Sequence, residues 1–261
     1  MPAAAASDGV VFVGHATLLI ELDGARVLTD PLLRMGIAHV RRRVPLPDIA
    51  DLLPLDAVLV SHAHADHLDP MSLRQVARDC PVIAPRGCAG LLRRSGVREV
   101  IEVEEGDRVD AGGIAVEAVH ADHDGRRYPV GPPIAALGFL LDASTRIYFA
   151  GDTDLFDGMA ALAGSVDLAA LPIWGWGPRL PVGHLDPESA ARAAALIRPA
   201  TTLPIHWGTL RSIGAQRDTD PMTPARRFVE WSRQLAPASE VRVLQPLERL
   251  ELASRPARTA Q

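Results

Sequence analysis

Apolar and polar positions along this chain fall into short runs rich in Val, Ile and Leu, each closed by turn residues or a polar loop. Residues 10 to 29 read as three short strands, with Asp23-Gly24 as a hairpin turn. Residues 31 to 56 form a long connection rich in Pro and Arg. Ala57-Val58-Leu59-Val60 is apolar and β-branched and predicts a buried strand, followed by a polar loop and a helix from about Pro70 to Arg78. A strand near Val82, a helix over Ala89 to Arg94 and a strand near Val100 follow, and strands recur through residues 108 to 150, including Leu137–Asp142 and Arg146–Ala150. The second half predicts helices at about 155–163, 187–197 and 223–235, with strands near 168, 202 and 242. No repeat, low-complexity linker or composition break divides the chain, so a single domain over residues 1–261 is expected. Periodicity alone gives a mixed α/β fold.

The predicted strands tend to end in residues that bind metals. Directly after Val60 comes Ser61-His62-Ala63-His64-Ala65-Asp66-His67, a His-x-His-x-Asp-His cluster on a loop leaving a buried strand. Neutral imidazole and carboxylate are ordinary zinc ligands, and such density at a strand end outweighs the alternative of a solvated polar turn. A two-metal site needs further donors. His120 follows Ile114–Val119, Asp152 follows Arg146–Ala150, and His206 closes Thr202–Ile205. Ligands on the edge of a rigid sheet are held better than ligands on a mobile loop, and two neighbouring cations need a bridging anion, a place that suits Asp152.

Here the chain resembles the metallo-β-lactamase-fold hydrolases, whose motif signature is similar to His62-x-His64-x-Asp66-His67, His120, Asp152 and His206. Gly14-His15-Ala16-Thr17, Leu28-Thr29-Asp30-Pro31, Gly183-His184-Leu185-Asp186-Pro187-Glu188 and Pro204-Ile205-His206-Trp207-Gly208-Thr209 are similar to the branch with N-acylphosphatidylethanolamine phospholipase D and the ascorbate-6-phosphate lactonases. The resemblance implies a four-layer αββα sandwich and two divalent metal ions, zinc first, with manganese and iron as alternatives. It implies that His62, His64 and His120 bind one metal, that Asp66, His67 and His206 bind the other, and that Asp152 bridges them. It also places Asp30 behind the site, where an ordinary turn cap before Pro31 is an equal reading. A cysteine among the second-metal ligands is typical of the antibiotic-hydrolysing members, and neither Cys80 nor Cys88 falls in a ligand motif.

Other residues bear on the choice of ligands and on the pocket. His123 could replace His120 if the strand runs on, but His120 directly follows the apolar run and is favoured. His15 is as easily structural as functional. His184, before a helix start at Asp186-Pro187-Glu188, is a candidate proton donor. Trp174, Trp176 and Trp207 could form an apolar wall, with Arg179 gripping an anionic group. Arg41-Arg42-Arg43 reads as a solvated run, and His39 as a bystander.

Composition narrows the chemistry. All 27 basic residues are arginine, which excludes Schiff-base lysine chemistry and a P-loop. The net charge of −5 gives no reason to expect nucleic acid as a partner. No run of about 18 apolar residues predicts a transmembrane segment. Met1–Ser7 lacks the pattern of a secretory signal and two cysteines make no disulfide framework, so the expected location is cytoplasmic. The expected activity is hydrolysis of a small, anionic phosphodiester or lactone/ester by a metal-bridging hydroxide, oriented by Asp66 and with His184 protonating the leaving group. The alternative is a non-catalytic metal-binding or sensor protein on the same fold.

Overall fold

The structure is a computed structural model that describes residues 7–127, 131–177, 179–214 and 220–252. The stretch before Ser7, and Pro178 in the tryptophan-rich loop, lie outside the described residues. The first half of the chain runs β1 (Gly9–Gly14), β2 (Thr17–Leu22), β3 (Ala25–Thr29), β4 (Gly36–Ile37), β5 (Val40–Arg42), α1 (Ile49–Leu52), β6 (Ala57–Leu59), α2 (Pro70–Val76), β7 (Val82–Pro85), α3 (Ala89–Arg94) and β8 (Val100–Val103). The second half runs β9 (Arg108–Ala111), β10 (Ile114–Asp124), β11 (Ala135–Asp142), β12 (Arg146–Phe149), β13 (Leu168–Pro172), α4 (Pro187–Ile197), β14 (Thr201–Ile205), β15 (Leu210–Ser212), α5 (Thr223–Leu235), β16 (Glu240–Val241) and β17 (Arg249–Glu251).

Two seven-stranded sheets result, in the orders β17-β1-β2-β3-β6-β7-β8 and β16-β14-β13-β12-β11-β10-β9. Each joins an antiparallel part to a parallel part, at β3–β6 in the first and at β12–β13 in the second. Period-two alternation decides which face of each strand is inner. Leu18, Ile20, Phe139, Leu141, Ile147 and Phe149 fill the core between the sheets. Leu19 and Leu28 face outward onto Leu73, Val76 and Leu92 of α2 and α3. Leu140, Tyr148 and Leu171 face the other way, onto Ala190, Ala194 and Phe228 of α4 and α5. These three apolar layers are the signature of an αββα sandwich, as expected.

Helix starts follow local chemistry. Asp69 caps α2 by accepting from Ser72 N–H, with Pro70 in the first turn. Asp186 and Ser189 form a reciprocal capping box on α4. The helix expected at 155–163 is a 3₁₀ helix over Asp157–Leu162, because Phe156 at its start offers no capping oxygen, Gly158 lies within so short a run and Gly164 follows it.

The long connection also departs from expectation, since it carries α1 and the strands β4 and β5. With β15 these strands make a three-stranded sheet. Arg42 is not a solvated charge but is buried, while Arg41 beside it is exposed. The Arg42 guanidinium donates to the carbonyls of Val13 at 2.6 Å, Leu32 at 3.0 Å and Pro45 at 3.3 Å. Burial pushes its pKa down to about 10, so it remains a cation at neutral pH and staples the small sheet to the end of β1.

Candidate metal centre and groove

The expected donors gather where strands of both sheets end, the usual place for a site in α/β proteins. Asp30 follows β3, the histidine cluster follows β6, Asp152 follows β12 and His206 follows β14. Gly151 brings the chain into position with φ +61°, and a Cβ there would lie 2.6 Å from Ser61 Cβ, so the close approach of the two loops requires glycine.

Hydrogen bonds behind the imidazoles set their tautomers. His67 Nδ1–H donates to Asp30 Oδ2 at 2.6 Å. His62 Nδ1–H donates to Ser61 Oγ at 2.9 Å, and that hydroxyl donates to the same Asp30 oxygen at 2.6 Å. The backbone N–H of Ser61 reaches Asp30 Oδ1 at 2.7 Å. Asp30 is therefore a support for the site and not a turn cap. His206 Nδ1–H donates to the Trp174 carbonyl at 2.7 Å, and His123 Nδ1–H to the Gly183 carbonyl at 2.7 Å. The rings of His62, His206 and His123 thus present a bare Nε2 to the interior, and His67 turns its Nε2 to the same place.

Those nitrogens converge on carboxylates and on one another. His67 Nε2 and His206 Nε2 are 3.2 Å apart, and each lies 3.2 Å from an oxygen of Asp152. His123 Nε2 is 3.2 Å from His64 Nδ1, and His62 Nε2 is 3.9 Å from Asp152 Oδ2. Nitrogens and carboxylate oxygens packed this closely in a buried cavity repel unless a proton or a cation lies between them. His62 Nε2 is buried with no hydrogen-bond partner among the described residues, a cost that a cation would remove. Two groups emerge, His62/His64/His123/Asp152 and His15/Asp66/His67/His206, in each of which the donor atoms lie within 4.8 Å of one another. An all-N/O donor set of this kind fits zinc and its first-row neighbours.

Electrostatics agree. Burial holds His62 well below the usual imidazole range, takes His64 to about 4 and His206 to about 3, and lowers His123, so these rings are neutral donors. For His67, burial opposes the charge, but Asp152, Asp30 and Asp66 outweigh it and raise the pKa. Burial would likewise raise Asp66 and Asp152. Both are instead held well below the carboxylate range, Asp66 by His67 and His15 and Asp152 by His206 and His67. Negative charge is concentrated at the point where the nitrogens meet.

The structure brings together His62, His64, Asp66, His67, Asp152 and His206, and it does not bring His120 with them. His120 is half exposed, with Nδ1 3.2 Å from Glu105 Oε2 and its ring edge-on to Phe156. The β10 strand does not stop at Val119 but runs to Asp124, and its register with β11 shifts between His120 and Asp124. Such an irregularity re-aims side chains. His123, three positions on, stands edge-on to His62 and His64 with ring centroids 4.8 and 4.9 Å away. The signal available in the sequence was a second histidine on the same strand.

A groove of about 490 Å³ opens over the donors, lined by Ile37, Val40, Trp176, Leu180, Pro181 and Arg179 among others. His184 sits in it, Nε2 3.2 Å from Asp152 Oδ2; burial opposes its charge, but the hydrogen bond to Asp152 raises its pKa. The expected tryptophan wall reduces to Trp176, whose Nε1–H donates to Asp66 Oδ2 at 3.0 Å. Trp207 is buried against Phe12, its N–H on the Pro204 carbonyl, and Trp174 packs partly buried against the outer core. Both are packing residues because each has apolar neighbours on the core side of the site. His39 lies beside Trp176, ring centroids 5.2 Å apart, on the groove wall. Among the described residues, no helix is long and apolar enough to cross a membrane.

A four-layer sandwich with His/Asp donor groups at the ends of its strands defines the metallo-β-lactamase class. The chain belongs to the β-lactamase superfamily: the model of the β-lactamase superfamily domain matches residues 25–207. It is 34% identical over 257 residues to a metal-dependent hydrolase of Pyrococcus furiosus, covering 93% of this chain and 99% of that one. It is 27% identical over 262 residues to N-acyl-phosphatidylethanolamine-hydrolyzing phospholipase D 1 of Caenorhabditis elegans, covering 89% and 72%. An uncharacterized protein of Mycobacterium tuberculosis is 32% identical over 219 residues, 77% of this chain, and the matched region spans 59% of that relative. Among solved structures, the metallo hydrolase Igni18 from Ignicoccus hospitalis superposes with a TM-score of 0.70 at 24% identity over 94% of this chain and 98% of its own, a likeness of fold.

Proposed function

We propose that the protein is a metal-dependent hydrolase holding two divalent cations, zinc first among them, and acting on a small anionic phosphodiester or lactone/ester. The observation that carries this reading is the convergence of imidazole Nε2 atoms, each on a ring fixed by a hydrogen bond at its other nitrogen, around Asp152. His62, His64 and His123 would hold one cation, Asp66, His67 and His206 the other, and Asp152 both. The cations would supply Lewis acidity, polarising the scissile group and lowering the pKa of a water to about 7. The similarity to a metal-dependent hydrolase and to a phospholipase D supports the reaction class.

The chain's own residues have distinct tasks. Asp66 accepts two N–H groups on Oδ2 and is ionised, so it orients rather than abstracts. His184, hydrogen-bonded to Asp152 and open to the groove, carries a proton at Nε2 that it can pass to a leaving oxygen. Arg179, exposed at the groove, offers a fork for phosphate or carboxylate, and Trp176 covers a carbon-rich portion.

The test is elemental analysis of protein purified without added metal, paired with a screen of phosphodiesters, lactones and carboxylic esters before and after removal of metal by a chelator. Two equivalents of metal and a hydrolysis that is lost on chelation and restored by zinc are expected. Tight metal binding without turnover of any class would favour a sensor.

A further inference from the structure

Asp66 Oδ2 accepts two hydrogen bonds, and the second donor has no place in the reading above. It is His15 Nε2–H, at 3.0 Å. In a contact of 3.0 Å between a carboxylate and an imidazole the carboxylate accepts and the ring N–H donates, so the proton in this bond belongs to His15, and Nε2 has no lone pair left for a cation. His15 is 1% exposed and lies behind the donors, whereas Trp176 lines the groove.

The same residue also holds His206. The His15 carbonyl accepts the His206 backbone N–H at 2.8 Å, and the two rings lie 4.0 Å apart at a 35° tilt. Its own N–H donates to Thr209 Oγ1 at 2.7 Å. His15 has φ +58° and His206 φ +62°, conformations that strain a residue with a side chain and persist only where the surroundings over-determine them. Arg42 fixes the preceding turn through the Val13 carbonyl.

We infer that His15 is the positioning residue of the second cation site, orienting Asp66 through its Nε2–H and His206 through its ring and backbone. The inference rests on the two-cation reading. It predicts that losing the N–H while keeping a ring weakens one cation and spares the other.

The test titrates zinc into the full, cation-stripped chain against a competing chelating dye, with cobalt absorption spectra as a second readout. His15→Phe keeps a ring against His206 and loses the donor, while His15→Gln keeps an N–H donor; both carry a similar backbone cost at φ +58°. In His15→Phe one of two binding steps is expected to weaken by about 10- to 100-fold, as for other residues supporting a ligand, with the other step unchanged. His15→Gln should retain both steps. Two wild-type steps in His15→Phe overturn the inference, and so does equal weakening of both steps. Should His15→Phe fail to fold, loss of the second step in folded His15→Gln overturns it alone. A wild-type chain that binds fewer than two zinc ions sinks the two-cation reading itself, which separates the two failures.

Discussion

Asp30→Asn is the sharpest perturbation of the site that leaves its shape intact. Asn is nearly isosteric and tolerates the φ of +35° at this position. What changes is the pattern of donors. Asp30 Oδ2 receives His67 Nδ1–H and the Ser61 hydroxyl, and Oδ1 receives the Ser61 backbone N–H. An amide has only one acceptor oxygen, so its NH₂ must face a donor in either orientation. With NH₂ toward His67, the ring shifts its proton to Nε2, where a cation would be held. With NH₂ toward the backbone N–H of Ser61, two donors confront each other in a buried space. Either conflict costs about 1–3 kcal/mol, which is roughly 5- to 150-fold in affinity at 1.4 kcal/mol per tenfold. In the first orientation the loss falls on the cation that His67 would hold, and in the second it falls on the fold itself, about 2–12 °C in Tm for a domain of this size. Zinc competition titrations and thermal unfolding without metal measure the two effects. An Asp30→Asn protein with wild-type zinc affinity at both steps and an unchanged Tm would refute the argument that Asp30 sets the tautomers.

Three further outcomes are expected. His123→Ala should lower the metal content toward one equivalent per chain by elemental analysis, whereas His120→Ala should leave it unchanged; the reverse would restore His120 as the ligand. Cys80 and Cys88 are buried, and burial with nearby carboxylates pushes their pKa values up to about 11 and about 12, so neither should react appreciably with a thiol reagent at pH 8 until the protein is unfolded. Arg179→Ala should raise KM several-fold or more for an anionic substrate and little for a neutral analogue; equal effects on both would remove the anionic requirement.

Much of the site was legible because its residues follow from local pattern. An apolar strand run followed by His-x-His-x-Asp-His needs no tertiary information, and the same holds for Asp152 and His206 at the ends of their own strands. His120 against His123 was not decidable that way, because the register shift in β10 depends on pairing with β11, a partner distant in sequence. The role of Ser61 was hidden for a similar reason: a serine before a histidine is unremarkable until Asp30 is found beneath it. The tryptophans misled because composition counts them without saying which face of the strand they occupy. Arg42 misled in the opposite direction, since a run of three arginines hides the fact that alternate positions in a strand face opposite sides. Periodicity within the strands points only to a mixed α/β fold, and the four-layer sandwich came with the resemblance.

The donors come from both sheets, and His206 at the end of β14 in the second is joined through its amide to the carbonyl of His15, just after β1 in the first. Neither half of the sandwich owns a cation-binding group of full strength. During synthesis the histidine cluster leaves the ribosome well before His206, when the second sheet still lacks β14. A chain at that stage can offer a metal ion only a loose, partial set of ligands. Secure capture must therefore wait until the sandwich closes, so metal acquisition becomes a late event in biogenesis and reports on whether folding has finished.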